Sequence, residues 1–430
     1  MRVLVFGLTL LVFLGSDSFG QTAAEMKAGG DAERAAIAAY RAKAYPNFLK
    51  QMEVANRNRP NHPRLIYNLA LAFALNGRTD DAILSLRRLT KMGIGYTFDK
   101  DEDLRPLRAD ERFEKIVAAA AANLQPINAS TRALELRDKR AIAESVAYDA
   151  RLKQHFVGSI HKRKIVSVDS KGAESDLSST SDGLFAALGM KVDESRGFLW
   201  VASSAVPQMS GFSAADKGKS GVFKYDIRTR KLLRKYLLPE GEQHMLGDVW
   251  IDRSGNVFAT DSVFPNIYRI DPARGDLELF IASDLFASLQ GITGGANRND
   301  IFVADYAKGF FRIDVSTKTI TQLKPDVNVT LLGTDGLYFY GGKLIAIQNG
   351  ITPNRVAAFT LAGHRVTNTT VLETNHADFL EPTLGYIDGD DLVYVANSQW
   401  PLVNENAELQ TEKLRNPVIL RLNLKKALAK

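Results

Sequence analysis

The chain has 430 residues, 45% hydrophobic and 24% charged, with no cysteine and a formal net charge of +6. That length and apolar fraction suffice for a large core and point to more than one domain. The missing thiol excludes disulfides, cysteine nucleophiles and thiolate metal sites. The Lys and Arg residues are spread along the chain without a stripe, which argues against a nucleic-acid surface.

The first predicted element is a targeting segment. "MRVLVFGLTLLVFLGSDSFGQ" places one Arg before an apolar run from Val3 to Leu14. The run is too short to span a bilayer, so no membrane span is expected. Ser18 and Gly20 stand in a cleavage frame before Gln21, and residues 1–20 read as a signal peptide. The expected location is secreted or periplasmic, with a core that holds without disulfides.

Residues 31–124 carry apolar side chains at three- and four-residue spacing, the helical period. In "LIYNLALAFALNGRTDDAILSLRRLTKMG" one helix runs to about Leu75 and breaks at Asn76-Gly77. Thr79 or Asp80 is placed to cap the next helix, which stops at Gly93. Asn68-Leu69-Ala70, Gly77 and Ala82 fall in the order of a tetratricopeptide repeat, which the segment resembles. "AAIAAYRAKAYPNFLKQMEVANRNRP" and "DLRPLRADERFEKIVAAAA" give two further units of this form. Stacked helical pairs of this kind imply a packing appendage or a docking surface for a protein partner.

From about Lys139 to the end, residues 139–430, strand-like runs of four to six residues alternate with Gly, Asp and Asn turns. Few contacts are expected to cross the link near residues 125–140. Six units open at Ser145, Gly189, Asp248, Gly291, Gly336 and Gly385, with separations of 44, 59, 43, 45 and 49 residues. Units of 40 to 50 residues with about four strands are the mark of a β-propeller. The predicted fold is therefore mainly β: a six-bladed β-propeller behind an α-helical, tetratricopeptide-like repeat domain.

In a propeller the first strand of each blade lines the central channel. The residues opening those strands are Glu144, Leu188, Gly247 (followed by Asp248), Gln290, Asp335 and Leu384. Four units thus bring an oxygen ligand to one ring, which suits a hard cation such as Ca²⁺. No thiol and no convergent His set competes for a softer metal.

With Glu144 in blade one and Asp335-Gly336 in blade five, residues 140–425 resemble the senescence-marker-protein/gluconolactonase family, whose relatives include strictosidine-synthase-like and paraoxonase-like propellers. The resemblance implies one divalent metal at the channel mouth, Ca²⁺ first, with Zn²⁺, Mn²⁺ or Mg²⁺ as alternatives. Its ligands here would be Glu144, Asp248, Gln290 and Asp335. Asp335 would also be the catalytic base in hydrolysis of a small lactone or ester. Gln290 stands where the family has Asn, and Gly247 stands where it has the blade-three Asn. Gln243, His244, Asn349 and Trp400 are further candidates for the pocket wall. Asp261, Asp305 and Asn397 recur in phase after the second strand and read as turn and blade-to-blade hydrogen-bonding residues. The competing expectation is a non-catalytic propeller that binds a ligand or protein.

Overall fold

The computed structural model describes residues 21–404 and 406–429; the expected signal peptide, residues 1–20, lies outside them. Five α-helices come first: α1 (Ala23–Arg41), α2 (Tyr45–Asn58), α3 (Pro63–Leu75), α4 (Thr79–Lys91) and α5 (Glu111–Asn123). No helix among the described residues is long and apolar enough to cross a membrane. Thr22 and Glu25 form a capping box at the start of α1, and Asp110 caps α5. Gly77, at φ +72°, lets the chain turn out of α3. Neither Thr79 nor Asp80 caps α4: both lie inside the helix, behind Arg78, which makes no capping bond. Short turns fold α1 on α2 and α3 on α4, and the apolar stripes meet in one core around Met52, Leu65, Leu86 and Phe98.

Six sheets of four or five strands follow in chain order, antiparallel except where Lys324–Pro325 pairs in parallel with Arg365–Thr374. Their inner strands are Ala143–Asp149, Ala186–Asp193, Leu246–Ile251, Leu289–Gly294, Thr334–Tyr340 and Gly385–Asp388. Alternation of apolar side chains along each strand fills the gaps between blades: Phe156 and Ile165 of blade one pack with Leu199 and Phe223 of blade two. The ring closes because Thr131–Glu135 becomes the outer strand of the sixth sheet, paired with Val418–Asn423. The propeller thus takes in a strand ahead of residue 139, and the first and last strands of the propeller close the ring in one sheet.

The expectation that few contacts cross the link is corrected by the structure. Ile127 bridges to Thr374, and the amides of Ala129 and Ser130 donate to the buried Glu373 carboxylate at 3.0 and 2.8 Å. Beyond the link, Ile351 of blade five sits inside the helical core. The buried Arg355 reaches the Met92 carbonyl behind α4 at 2.8 Å. Burying one Ile side chain is worth about 1.5–3 kcal/mol, so this is a seated interface rather than a tether.

Candidate active site

Five inner strands slip register near their first residues: between Ala143 and Ser145, Ala187 and Met190, Leu246 and Asp248, Leu289 and Ile292, and Thr334 and Gly336. Such a bulge leaves one residue out of the ladder and re-aims its side chain. Glu144, Leu188, Gly247, Gln290 and Asp335 all fall within these slips. Together with Leu384 of blade six they line one cavity of about 190 Å³. The ring is tight. A Cβ on Gly189 would lie 2.5 Å from Asp248 Cα, and one on Gly291 would lie 2.5 Å from Leu337 N. Only glycine permits these neighbouring backbones to approach so closely.

The acids of the cavity differ in their partners. Glu144 is buried, and its Oε2 accepts from Ser398 Oγ at 2.8 Å and Trp400 Nε1 at 2.6 Å. Asp335 keeps partial contact with the cavity and accepts from Asn349 Nδ2 at 3.1 Å. Asp248 is more fully engaged: Oδ1 accepts from its neighbour Val249 N at 2.9 Å and Oδ2 from Ile292 N at 3.3 Å. Its carboxylate ties the inner strand of blade three to that of blade four while it lines the cavity. Gln290 gives Nε2 to Ser288 Oγ at 3.3 Å, and its Oε1 lies 3.7 Å from where a Gly247 Cβ would stand. The longer amide of blade four thus leans toward the space that Gly247 leaves open.

Three residues at this mouth were not singled out from the sequence. Glu381 lines the cavity with a buried Oε2 that accepts no hydrogen bond. It occupies left-handed backbone, φ +67°, just before Pro382. Blade six opens with Leu384, so its acid comes from three positions upstream, outside the repeat phase. Its one sequence signal is its place ahead of Pro382 and that opener. Tyr306 donates to Asn349 Oδ1 at 3.1 Å, and Thr383 Oγ1 donates to the Glu144 carbonyl at 2.7 Å.

Burial pushes the Asp335 carboxyl up to about 7, aided by the charges of Glu381 and Asp248. Burial also raises Glu381 to about 7, against the Trp400 backbone amide. Glu144 is held well above the usual carboxylate range by burial and then by Asp335. No Lys, Arg or His is among the cavity's lining residues. No three His, Asp or Glu side chains among the described residues stand at metal-holding spacing; Gln290 is a further oxygen donor in the lining.

Asn349 and Trp400 line the cavity; Gln243 and His244 do not. Gln243 is exposed, and the buried His244 spends Nδ1 on Asp261 Oδ2 at 2.7 Å. That pair belongs to the turn of blade three, where Asp261 also accepts from the amides of Met245 and Val263. Asp305 and Asn397 likewise take main-chain amides, those of Ala287 and Val418. The loop between strands Phe198–Ser204 and Ser220–Asp226 meets the loop between Asp391–Val395 and Val418–Asn423, where Val206 and Met209 pack with Val403 and Leu414.

No family model matches the sequence, and no curated protein matches it. Solved structures similar to this chain include a PQQ-bound aldose sugar dehydrogenase from Streptomyces coelicolor, at TM-score 0.47 and 12% identity, covering 70% of this chain and 98% of that one. A gluconolactonase from Xanthomonas campestris matches at TM-score 0.45 and 10% identity, covering 69% and 99%. A catalytically inactive virginiamycin B lyase from Staphylococcus aureus matches at TM-score 0.47 and 14% identity, covering 67% and 82%. Likeness at this level carries no activity across to this chain.

Proposed function

We propose that the chain is an exported, divalent-metal-dependent hydrolase of the lactonase type, acting on a small lactone or ester in the cavity ringed by Glu144, Asp335 and Glu381. The observation that carries this is four carboxyls, Glu144, Asp248, Asp335 and Glu381, around one cavity with no basic side chain in its lining, where burial and neighbouring acids raise Glu144 and Asp335. Crowded acids require protons or a cation to be tolerated. In kind, an all-oxygen donor set with one Glu381 oxygen left without a partner suits a hard cation, Ca²⁺ first and Zn²⁺, Mn²⁺ or Mg²⁺ as alternatives, and the acids would have to draw together on it. Glu144, Asp248, Gln290 and Asp335 would hold it, with Glu381 added from blade six. Bound there, the ion would supply Lewis-acid polarisation of the substrate carbonyl.

The chain's own groups do the rest. Asn349 fixes one oxygen of Asp335 and leaves the other for water. Asp335 takes the proton from that water as its oxygen joins the acyl carbon, and returns it to the leaving alkoxide when the ring C–O bond breaks. A carboxyl near 7 suits both transfers at neutral pH. Trp400 covers Glu144 and narrows the mouth. The room above Gly247 and the modest cavity favour a single small ring over an extended substrate.

The test is metal analysis of the purified chain, with a lactone panel assayed with and without chelator. Bound metal near one per chain and hydrolysis that chelator abolishes and Ca²⁺ restores are expected. Metal-free protein that hydrolyses nothing on the panel would overturn the proposal. The competing proposal is a non-catalytic binder with the tetratricopeptide-like helices as a docking surface. It draws on Gly247, which removes a side chain from the ring. Ligand binding at the cavity without turnover would favour it.

A further inference from the structure

Asn349 is a junction. Its Nδ2 donates to Asp335 Oδ2 and to the Pro382 carbonyl, each at 3.1 Å, and its Oδ1 accepts from Tyr306 at 3.1 Å. One amide therefore joins the acid of blade five, the Glu381-Pro382 turn before blade six and the tyrosine of blade four. A side chain can hold such a geometry only if its own backbone is held.

Asn349 begins the loop 349–354, between strands Lys343–Gln348 and Arg355–Ala362. Much of what holds this loop comes from the helices. Ile351, 6% exposed, is a member of the helical core. The amide of Gly95 donates to the Thr352 carbonyl at 3.1 Å. Arg355, 1% exposed, gives Nη1 to the Met92 carbonyl and Nε to Gln348 Oε1, each at 2.8 Å. Within the loop, Asn354 Nδ2 donates to the carbonyls of Asn349 at 2.8 Å and Ile351 at 3.1 Å. The socket also depends on Gly93, at φ +77°: a Cβ there would lie 2.6 Å from Arg355 Nη1. The turn behind α4 is thus shaped to admit a guanidinium, which would be costly to leave buried without its carbonyl partner.

We infer that the helical unit is a positioning element of the cavity: through Ile351, Thr352 and Arg355 it holds loop 349–354, and so holds Asn349 where it orients Asp335. This rests on the proposed function for what Asp335 does, while the chain of contacts stands without it. The unit that the sequence marks as an appendage or docking surface is, on this inference, a structural part of the site. Residues nearly 250 positions apart, Met92 and Asp335, are joined by one buried side chain, one loop and one amide.

The experiment uses the full chain and compares Ile351→Ala and Arg355→Met with Asn349→Ala. Met52→Ala is the control; it opens the same helical core on α2, which stacks through α3 rather than directly on α4. Hydrogen exchange is read for residues 332–336 and 349–354, and Ca²⁺ affinity by calorimetry. Ile351→Ala and Arg355→Met should speed exchange in both segments. They should also weaken Ca²⁺ binding about tenfold, as expected when the support of a ligand is lost, and in the direction of Asn349→Ala. Met52→Ala should lower the melting temperature yet leave both readouts at wild type. The inference is overturned if Ile351→Ala and Arg355→Met both leave exchange in the loop unchanged, or if Met52→Ala produces the same changes. A wild-type chain that binds no divalent cation would sink the metal proposal alone, and the exchange comparison would still decide this one.

Discussion

The same six inner strands build both ends of the channel, and the two ends have opposite characters. One end gathers Glu144, Gln290, Asp335 and Glu381 without a basic side chain in the lining. The other is a cavity of about 270 Å³ walled by Tyr148, Trp250, Tyr338, Phe339 and Tyr386, with Lys191, Glu194 and Asp388 among them. At the aromatic end the ladders run without a slip, as in Val146↔Val157 through Asp149↔Gln154. Side chains there find partners by ordinary alternation: Tyr148 stacks on Tyr386 at 5.8 Å, and Lys191 donates to the Gly385 carbonyl at 2.9 Å. At the acidic end the bulges take one residue per strand out of the ladder. A residue outside the ladder is not held to pleat packing, so its side chain is available for chemistry. The fold thus places its bulged, buried acids at one mouth and its aromatic side chains at the other.

The sharpest way to break this contrast is Asp335→Asn. The change keeps the shape, removes one of the crowded charges and takes away the proposed base. Turnover of any lactone the wild type hydrolyses should fall by about 10²–10⁴, the usual worth of a general base. Circular dichroism should be unchanged, and without metal the melting temperature should not fall. A variant that keeps wild-type kcat/KM would move the chemistry away from this mouth.

The pH dependence of the metal-free chain is the next largest effect. Asp335 and Glu381 both bind their protons more tightly in the folded chain, with values near 7. Between the ordinary carboxylate value near 4 and that value, the folded chain holds more protons than the unfolded one. Stability is therefore fullest at low pH and is lost as pH rises through this window. Melting scans from pH 4 to 8 with EDTA should show the decline, and saturating Ca²⁺ should flatten it, since an ion that binds only the folded state offsets the repulsion. A flat profile in EDTA would mean that the acids are not pressed together. Glu381→Gln should give a smaller version of this result, with a higher metal-free melting temperature at pH 8 and Ca²⁺ affinity weaker by about tenfold.

Much of the architecture is legible in the sequence because strand alternation and turn chemistry repeat with the blades. Six openers read in one phase all reach one cavity. What the sequence hides are features that depend on a distant partner. "TRALE" at 131–135 reads as part of a link because its partner strand, Val418–Asn423, is almost 290 residues away. Asp248 is visible as an acid, but only the neighbouring blade shows that its Oδ2 accepts from the Ile292 amide. Glu381 escapes because it stands outside the repeat phase. Ile351 and Arg355 look like a loop residue and a strand end, and their role appears only once the helices are seated on them.

The smallest effect belongs to the aromatic mouth. Tyr386 lines it, and its hydroxyl is buried without a hydrogen-bond partner. An unpaired buried hydroxyl costs about 1–3 kcal/mol, while the ring still contributes through its stack on Tyr148. Tyr386→Phe keeps the ring and removes the liability. The melting temperature should stay level or rise slightly, Ca²⁺ affinity should be unchanged, and kcat/KM should match wild type. If this variant instead loses turnover on the scale of Asp335→Asn, the two mouths are coupled through the channel. The division of labour between bulged and regular strand ends would then have to be abandoned.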